Sequence, residues 1–289
     1  MRRLALPERP DWREIAIANG FAFHTPDGEP YWDESVCYAF SLEEIETVFE
    51  APTAELHALC VEVAGHVVDS EEALTRLAVP PLAFDAIRAS WHRDDPTLYG
   101  RFDFAFDGNG PAKLLEYNAD TPTALYETGV FQWLWLEDLL RTGALPAGTD
   151  QFNAMYEKLI ARIAEIGGGR RLHLAYLAGE VEDRGTVAYL QDCAVQAGLD
   201  ARLVDLEALS LGEDGRFLDE RDLPVDLLFK LYPWEWIWTD PFGKGIARTP
   251  TRFLEPAWKA LLSNKGFLAL LWEAEPGHPN LLPTFFEAD

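Results

Sequence analysis

The sequence lacks several patterns that would assign a broad class at once. No apolar run in its 289 residues approaches the ~18–20 residues that a membrane-spanning helix needs, and the start, MRRLALPERPDW, has no apolar signal-peptide core. The six histidines show no HxH or HExxH spacing, and no GxSxG or GxxxxGKS/T motif occurs. We therefore expect a cytoplasmic protein without membrane contact, and neither a zinc enzyme nor a Walker-type ATPase.

Cysteine and positive charge are also scarce. The three cysteines, Cys37, Cys60 and Cys193, are far apart and lack CxxC spacing, which favours reduced, mostly buried thiols over a disulfide frame or a zinc site. Only 24 basic residues oppose 49 acidic ones, and the net charge of −25 argues against nucleic-acid binding. This charge would attract a cationic substrate such as a polyamine, although general solubility or adaptation to salt explains it more simply.

Apolar residues are abundant enough for a sizeable core. They make up 48% of the chain, and the length favours two lobes over one compact domain. A capping box at residues 41–44, followed by apolar residues at helical spacing, predicts one or two helices over 41–68. Further helices are predicted over 123–141 and over 150–166, where three glycines end the pattern.

The second half has a different pattern. Short apolar runs at residues 172–177, 201–206 and 225–231 alternate with a predicted helix over 183–197 and with loops. This alternation is typical of a small parallel α/β unit. The predicted fold class is therefore mixed α/β (α+β), with the parallel unit in the second half.

Three tryptophans, Trp234, Trp236 and Trp238, follow the last of these runs at alternate positions. Aromatic rings in such a row can stack against a cationic chain. Packing against a neighbouring lobe is the alternative, and a tryptophan row more often packs.

The densest polar group lies in residues 100–123, where the pattern predicts two strands and a tight turn. Arg101 and Asp103 share one face of the first strand, because strand side chains alternate. Leu114, Glu116 and Asn118 are expected on one face of the second strand. A two-residue turn sets Arg101 opposite Glu116, and a four-residue loop sets Asp103 there. Either even loop gathers the polar residues, whereas an odd loop separates them.

The residue types of this polar face indicate a chemistry. Asp103, Glu116 and Asn118 offer hard oxygen atoms, the ligands of a Mg²⁺ ion that also holds substrate phosphates and waters. Arg101 beside them is suited to clamp a phosphate or carboxylate by two parallel hydrogen bonds. The alternative is a solvent-facing hairpin with a cross-strand ion pair between Arg101 and Glu116.

The residues after Asn118 predict a helix start, with Thr121 as the capping residue and Pro122 at the first helical position. Backbone N–H groups and the positive end of the helix dipole would make an anion site there, to which Thr121 and Thr123 add hydroxyls. A cation site next to an anion site suits phosphoryl transfer to a carboxylate. Ordinary helix capping is the alternative role for the threonines.

RFD at residues 101–103, followed by EYNADTPT at 116–123, resembles the synthetase part of the glutathionylspermidine synthase family, which are ATP-grasp carboxylate–amine ligases. Further stretches are similar to the same family: ERPDW (8–12), EPYW (29–32), VEDRG (181–185), LYPWE (231–235), EPAWK (255–259) and SNK (263–265). The resemblance covers essentially the whole chain. It is greatest to short, stand-alone members, which lack the cysteine amidase domain of the bifunctional ones.

This resemblance implies ATP and Mg²⁺ as cofactors, and a small-molecule carboxylate and an amine as substrates. It implies these roles: Arg101 for catalysis on the transferring phosphoryl group; Asp103, Glu116 and Asn118 for Mg²⁺; Thr121 and Thr123 for the carboxyl end of the acyl substrate; Glu182 and Asp183 for a polyamine; and Lys265 for the nucleotide phosphates. The family pattern continues past residue 289 with a lysine–proline strand, a glycine-rich lid and a late metal-binding segment.

The resemblance thus divides the chain into three expected parts. Residues 1–166 are the helical and hairpin part with the metal and substrate motif, 167–250 a pre-ATP-grasp-like α/β unit, and 251–289 the truncated start of an ATP-grasp region. The C-terminal nucleotide lid is expected to be missing. The expected function is an acid–amine ligase that works through an acyl phosphate, and the alternative is a non-catalytic substrate-binding or partner module without the lid.

Overall fold

The strands lie in four sheets in the computed structural model, which describes residues 1–287. They are β1 (Arg2–Ala5), β2 (Val36–Ala39), β3 (Arg101–Ala105), β4 (Lys113–Asn118), β5 (Leu172–Tyr176), β6 (Ala201–Asp205), β7 (Ser210–Leu211), β8 (Phe217–Leu218), β9 (Leu227–Lys230) and β10 (Arg252–Leu254). β1 pairs with β2, β3 with β4 and β7 with β8, all antiparallel, whereas β10, β9, β5 and β6 form one parallel sheet in that order. The predicted mixed α/β class is confirmed.

Helices surround these sheets. They are α1 (Trp12–Ala18), α2 (Leu42–Glu44), α3 (Ala51–Val67), α4 (Glu71–Arg76), α5 (Phe84–His92), α6 (Gln132–Thr142), α7 (Met155–Gly167), α8 (Val181–Gln196), α9 (Trp234–Ile237), α10 (Ala260–Ser263) and α11 (Phe267–Ala274). Two π-helical segments, Ile45–Glu50 and Glu127–Phe131, lead into α3 and α6. None of the helices in residues 1–287 has the length and apolar character that crossing a membrane would require.

Both faces of the parallel sheet are buried, which explains the continuous apolar runs that predicted it. Leu174 and Phe229 pack on one face with side chains of α7 and α8. Ala175 and Leu228, their chain neighbours, point to the other face and join the large core that contains α3, α5, α10 and α11. The last residue of β9, Lys230, forms an ion pair with Asp120, just after β4. The carboxyl end of the sheet is thereby tied to the antiparallel hairpin.

The helix predictions hold in position but not at every boundary. Ser41 and Glu44 form both hydrogen bonds of the capping box. Where one or two helices were predicted over 41–68, α2, the first π segment and α3 form a continuous helical stretch over 42–67. The helix predicted over 183–197 is α8. The helix predicted from residue 150 begins only at Met155, and its glycine stop is confirmed by left-handed Gly168 and Gly169.

The hairpin of β3 and β4 has the register expected for a four-residue loop, yet a longer connection, residues 106–112. Asp103 pairs with Glu116, and Arg101 pairs with Asn118. The register shifts after Asp103, so that Phe104 pairs with Leu114 and one extra residue of β4 is left unpaired. This β-bulge restores the parity that an odd connection would have lost.

Because of the bulge, Leu114 lies on the opposite face of β4 from the one predicted. Leu114 was expected beside Glu116 and Asn118, but its side chain is only 2% exposed and lies in the large core, whereas Leu115 is 45% exposed. Because the extra residue reverses the alternation of side chains, Leu114 faces inward while Glu116 stays on the polar face.

The helix predicted to begin at Pro122, with Thr121 as its capping residue, starts at Leu125 instead, so this prediction is wrong. Residues 121–124 form a loop, in which Ala124 has a left-handed φ of 68° that is unusual for a residue other than glycine. Thr121 is therefore no helix cap. The helix-terminal anion site expected directly after Asn118 is not formed within the described residues 1–287.

The tryptophan row is also different from its expected form. Trp234 and Trp238 lie one helical turn apart in and after α9, stack at a centroid distance of 6.1 Å and are buried in the large core, while Trp236 is exposed. Packing is therefore the observed role of Trp234 and Trp238. Residues at alternate positions do not share a face here because the segment is helical.

Candidate active site

The polar face of the hairpin forms one hydrogen-bonded group. Arg101 donates from Nε to Oδ1 of Asp103 (2.7 Å) and from Nη2 to Oδ2 (3.1 Å). Asn118 donates from Nδ2 to Oε1 of Glu116 (2.9 Å) and, at 3.4 Å, to Oδ2 of Asp103. The prediction that the strand register gathers these four residues is confirmed. We call them the hairpin group.

Lys265 joins the hairpin group through an ion pair with Glu116. This ammonium group, followed by the amide of Asn118, lowers the pKa of Glu116 to about 2. Arg101 pairs with Asp103 on its own strand, and this hydrogen-bonded pair raises the pKa of Arg101. The alternative cross-strand ion pair between Arg101 and Glu116 is thus not formed among residues 1–287.

The donor atoms of the hairpin group fit Mg²⁺. Asp103, Glu116 and Asn118 are half-buried and carry carboxylate and amide oxygens, which are hard ligands. In the part of the chain that the structure describes, no cluster of three or more His, Cys, Asp or Glu side chains is arranged to hold a metal ion. The protein would thus supply few ligands, and Mg²⁺ in such sites takes its others from water and substrate phosphates.

A second set of contacts fixes the loop that follows Asn118. Ser263 at the end of α10 accepts hydrogen bonds on Oγ from the backbone N–H groups of Ala119 (2.9 Å) and Asp120 (2.8 Å). The buried carboxylate of Asp120 accepts from the backbone N–H of Trp234 (2.7 Å) and from Lys230. The loop is therefore held from α10 and from the carboxyl end of β9, the edge at which open α/β sheets bind ligands.

Lys230 is the buried cation of this anchor. It has no exposed surface, and its ammonium group lies 4.6 Å from the ring centroid of Trp234. Burial lowers the pKa of Lys230, while the charge of Asp120 counteracts that effect. Sequence reasoning missed both Lys230 and Ser263. A lysine inside the apolar run 225–231 was the available signal.

Thr123 connects the hairpin group to the predicted amine-binding acids. Its Oγ1 accepts a hydrogen bond from Nη1 of Arg101 (3.3 Å). Burial, followed by the charge of Glu127, raises the pKa of Glu182, whereas the Thr123 hydroxyl and Arg101 act in the opposite direction. Glu182, in the first turn of α8, is therefore close to both. Thr121 is half-buried in the same loop but takes no part in these contacts.

Asp183 lies beside Glu182 in the first turn of α8. Its pKa is raised to about 6, first by burial and then by the charges of Glu182 and Glu180. The structure thus brings Glu182 to the hairpin group, while the neighbours of Asp183 are the other acids at this helix start.

Tyr31 and Glu127 form a further polar pair, and their charges and those of Glu182 and Arg101 act on one another. Sequence reasoning missed both as site residues. The Tyr31 hydroxyl donates to Oε1 of Glu127 at 2.6 Å. Burial raises the pKa of Tyr31, and the hydrogen bond to Glu127 raises it further. A charged residue between the buried Tyr126 and Phe131 was a usable signal for Glu127. The hydrogen bond between Tyr31 and Glu127 could not be predicted, because the two residues are 96 positions apart.

Comparison with known proteins identifies the family of the chain. The family described as glutathionylspermidine synthase preATP-grasp matches residues 3–289. A Haemophilus influenzae protein named "Putative acid--amine ligase" is 40% identical over 99% of this chain and 73% of its own length. Trypanothione synthetase of Crithidia fasciculata is 27% identical over 81% of the chain and 39% of its own length. The bifunctional glutathionylspermidine synthetase/amidase of Escherichia coli is 23% identical over 92% and 46%. The chain thus spans less than half of each of these two synthetases.

Proposed function

Because the chain belongs to the glutathionylspermidine synthase preATP-grasp family, we propose that it is an ATP- and Mg²⁺-dependent acid–amine ligase. The observation that carries this proposal is the hairpin group, in which Arg101 and three oxygen ligands lie on one polar face beside Lys265. The names of the Haemophilus influenzae relative and of the two synthetases support ligase chemistry.

The proposed reaction has two steps. The substrate carboxylate attacks the terminal phosphorus of ATP, so that an acyl phosphate forms and ADP leaves. A neutral amine then attacks the acyl carbon, a C–N bond forms, the C–O bond to phosphate breaks and a proton is released. Asp103, Glu116 and Asn118 would hold Mg²⁺, which supplies neutralisation of phosphate charge when bound.

Arg101 would act on the phosphoryl group during transfer. Its guanidinium group presents parallel N–H donors that match phosphate oxygens, and preorganised donors of this kind stabilise developing charge. In the structure these N–H groups donate to the carboxylate of Asp103. Arg101 would therefore have to release Asp103 and bind the phosphoryl group instead. Lys265, at the edge of the hairpin group, would contact the nucleotide phosphates.

The substrates would meet around Thr123. Thr123 lies between Arg101 and Glu182, so an acyl group that contacts Thr121 and Thr123 is next to both the phosphoryl clamp and the acids proposed for the amine, Glu182 and Asp183. A small peptide-like carboxylate and a polyamine or another amine remain the proposed substrate classes.

The division into 1–166, 167–250 and 251–289, the missing nucleotide lid and the cytoplasmic location stay predictions. β10 lies in the third of these parts and pairs with β9 of the second. Residues 288 and 289 of that part lie outside the described residues. The ATP-grasp assignment of the third part is therefore a proposal that follows from the family.

The test is the release of ADP by the full-length protein with Mg²⁺-ATP and a panel of acids and amines. We expect release that requires both substrates, together with an amide product in the mass spectrum. Release without an amide would contradict a ligase. No release, with retained binding of an acid or amine by titration calorimetry, would favour the non-catalytic binding module.

A further inference from the structure

Glu127 has a carboxylate oxygen for which the protein provides no partner. The side chain is only 6% exposed, and although Oε1 accepts from Tyr31, the buried Oε2 accepts no hydrogen bond within residues 1–287. A buried polar atom without a partner costs about 1–3 kcal/mol, and more when it is charged. Glu127 lies in the π-helical segment Glu127–Phe131, and such segments occur frequently at functional sites.

The surroundings of Glu127 are acidic. Burial, and then the charge of Glu127, raise the pKa of Glu182. Gly129, two residues after Glu127, packs against Tyr189 of α8, the helix that carries Glu182 in its first turn. Arg101 lowers the pKa of Glu182 by its charge, but its hydrogen bonds go to Asp103 and Thr123. The acidic surroundings of Glu127 and Glu182 therefore suit a cationic group that residues 1–287 do not supply.

The face of α8 that carries Glu182 also carries two buried polar atoms without hydrogen-bond partners among residues 1–287. Thr186 follows one turn later and Tyr189 nearly two turns later, so the three side chains share a face of the helix. Thr186 Oγ1 and Tyr189 Oη are buried and have no hydrogen-bond partner in the described part of the chain. Tyr189 packs against the π-helical segment, because a Cβ atom added at Gly129 would lie 2.4 Å from its hydroxyl. This face of α8 thus offers a row of polar groups beside Glu127.

We propose that Glu127, oriented by Tyr31, is a specificity-determining residue that binds an ammonium group of the amine substrate together with Glu182. The proposal rests on the proposed ligase function. The nitrogen that attacks must be neutral, whereas the nitrogen held by two carboxylates keeps its proton. The favoured substrate therefore carries a second amino group, and Tyr31 is a positioning residue that holds the Glu127 carboxylate.

Binding is tested first by titration calorimetry of the protein with 1,4-diaminobutane, n-butylamine and spermidine. We expect Glu127→Gln to weaken the binding of both polyvalent amines about tenfold. The melting temperature should stay equal or rise, because the change removes a buried charge beside Glu182. Glu62→Gln is the matched control, an exposed acid of α3 that has no part in the proposed site, and should leave the affinities unchanged.

Tyr31→Phe removes the hydrogen bond to Oε1 and leaves both carboxylates in place, so it should weaken diamine binding less than Glu127→Gln. Unchanged diamine affinity in Glu127→Gln, or equal affinity of the native protein for n-butylamine and 1,4-diaminobutane, would overturn the proposal. A lower melting temperature in Glu127→Gln with unchanged diamine affinity would assign a structural role to Glu127.

A second measurement separates this proposal from the ligase proposal. Hydroxylamine is neutral and traps an acyl phosphate as a hydroxamate, with release of phosphate, so it does not need an ammonium site. With full-length protein, Mg²⁺-ATP and glutathione, we expect Glu127→Gln to form hydroxamate at the native rate while its KM for spermidine rises about tenfold. Equal loss of both reactions would overturn the role of Glu127. No hydroxamate from the native protein with any acid would contradict the ligase proposal, and the calorimetric result would still decide on Glu127.

Discussion

Two cations neutralise the two carboxylates of the hairpin group, because Arg101 pairs with Asp103 and Lys265 with Glu116. Both pairs are partly exposed, with the Lys265 side chain 76% exposed, and exposed ion pairs of this kind contribute ~1 kcal/mol or less to stability. The fold therefore depends little on these four residues. Substitutions among them should change binding and turnover more than the melting temperature.

Arg101→Lys separates a phosphoryl clamp from an ion-pair partner. Lysine keeps the charge but loses the two parallel donors, so a clamp that acts in the transition state should lose kcat by about 100-fold with a much smaller change in the KM for ATP. The measurement is steady-state ADP release by the full-length protein. Arg88→Lys, which alters an exposed ion pair with Glu71, is the control. A native kcat in Arg101→Lys would remove Arg101 from the mechanism.

Asp183 gives a stability prediction with a defined pH window. The pKa of Asp183 in the folded protein is about 6, whereas the pKa of an aspartate in an unfolded chain is about 3.9. Between these values the folded protein binds more protons, so the free energy of unfolding falls as pH rises from about 4 to 6 and stays lower above. Asp183→Asn should remove this fall and stabilise the protein above pH 6 by on the order of 1 kcal/mol after solvent screening.

Thermal unfolding of the native protein and Asp183→Asn at several pH values measures this difference. The two melting temperatures should converge below about pH 3, where Asp183 is protonated in both the folded and the unfolded state. Glu157→Gln, at an exposed position of α7, is the control and should show no such pH-dependent gain. A constant difference across the whole range would show that burial and the other acids do not raise the pKa of Asp183.

At the scale of elements, the hairpin shows what alternation can and cannot predict. The polar face followed from the period of two, and the structure confirms that Arg101, Asp103, Glu116 and Asn118 meet. The bulge could not be predicted. Leu114 and Leu115 are the same residue type, so the sequence does not show which of them is unpaired, and the need for an unpaired residue arises only from the longer connection.

In the loop after β4, the sequence predicts a helix start that the structure does not form. Its sequence favours a helix cap at Thr121, but the backbone of Ala119 and Asp120 is bound to Ser263, and the Asp120 side chain is bound to Trp234 and Lys230. Contacts from two distant segments, 230–234 and the end of α10, thus decide the conformation against the local preference. Local capping patterns cannot reveal such contacts.

Deletion of Leu115 tests the role of the bulge. Without this residue, Leu114 pairs with Phe104 and Glu116 with Asp103 in an uninterrupted ladder, and every other side chain keeps its face. We expect a melting temperature within about 4 °C of native and retained ADP release. Insertion of alanine after Glu116 is the matched comparison and should abolish release, because it reverses the faces of Tyr117 and Asn118. Equal damage from both changes would show that the bulge does more than set the register.

At the scale of the whole molecule, the site is assembled from segments that are far apart in sequence. The hairpin group comes from residues 101–118, Lys265 from the segment before α11, Glu182 from α8 and Tyr31 from the N-terminal part. Sequence reasoning found the residues of the hairpin group because they follow one strand period. It missed Glu127 with Tyr31, and Asp120 with Lys230, because separations of 96 and 110 positions leave no local pattern.

The Asp120–Lys230 ion pair connects the two halves of this assembly and gives the last prediction. Both side chains are buried, so Lys230→Met should leave an uncompensated carboxylate and destabilise the protein by about 3–5 kcal/mol. Asp120→Asn in the same chain removes that charge and should restore much of the melting temperature, since a neutral amide can still accept from the N–H of Trp234. Restored stability without restored ADP release would show that the pair positions the 119–124 loop for catalysis. Additive losses in the double variant would mean that the two charges do not interact.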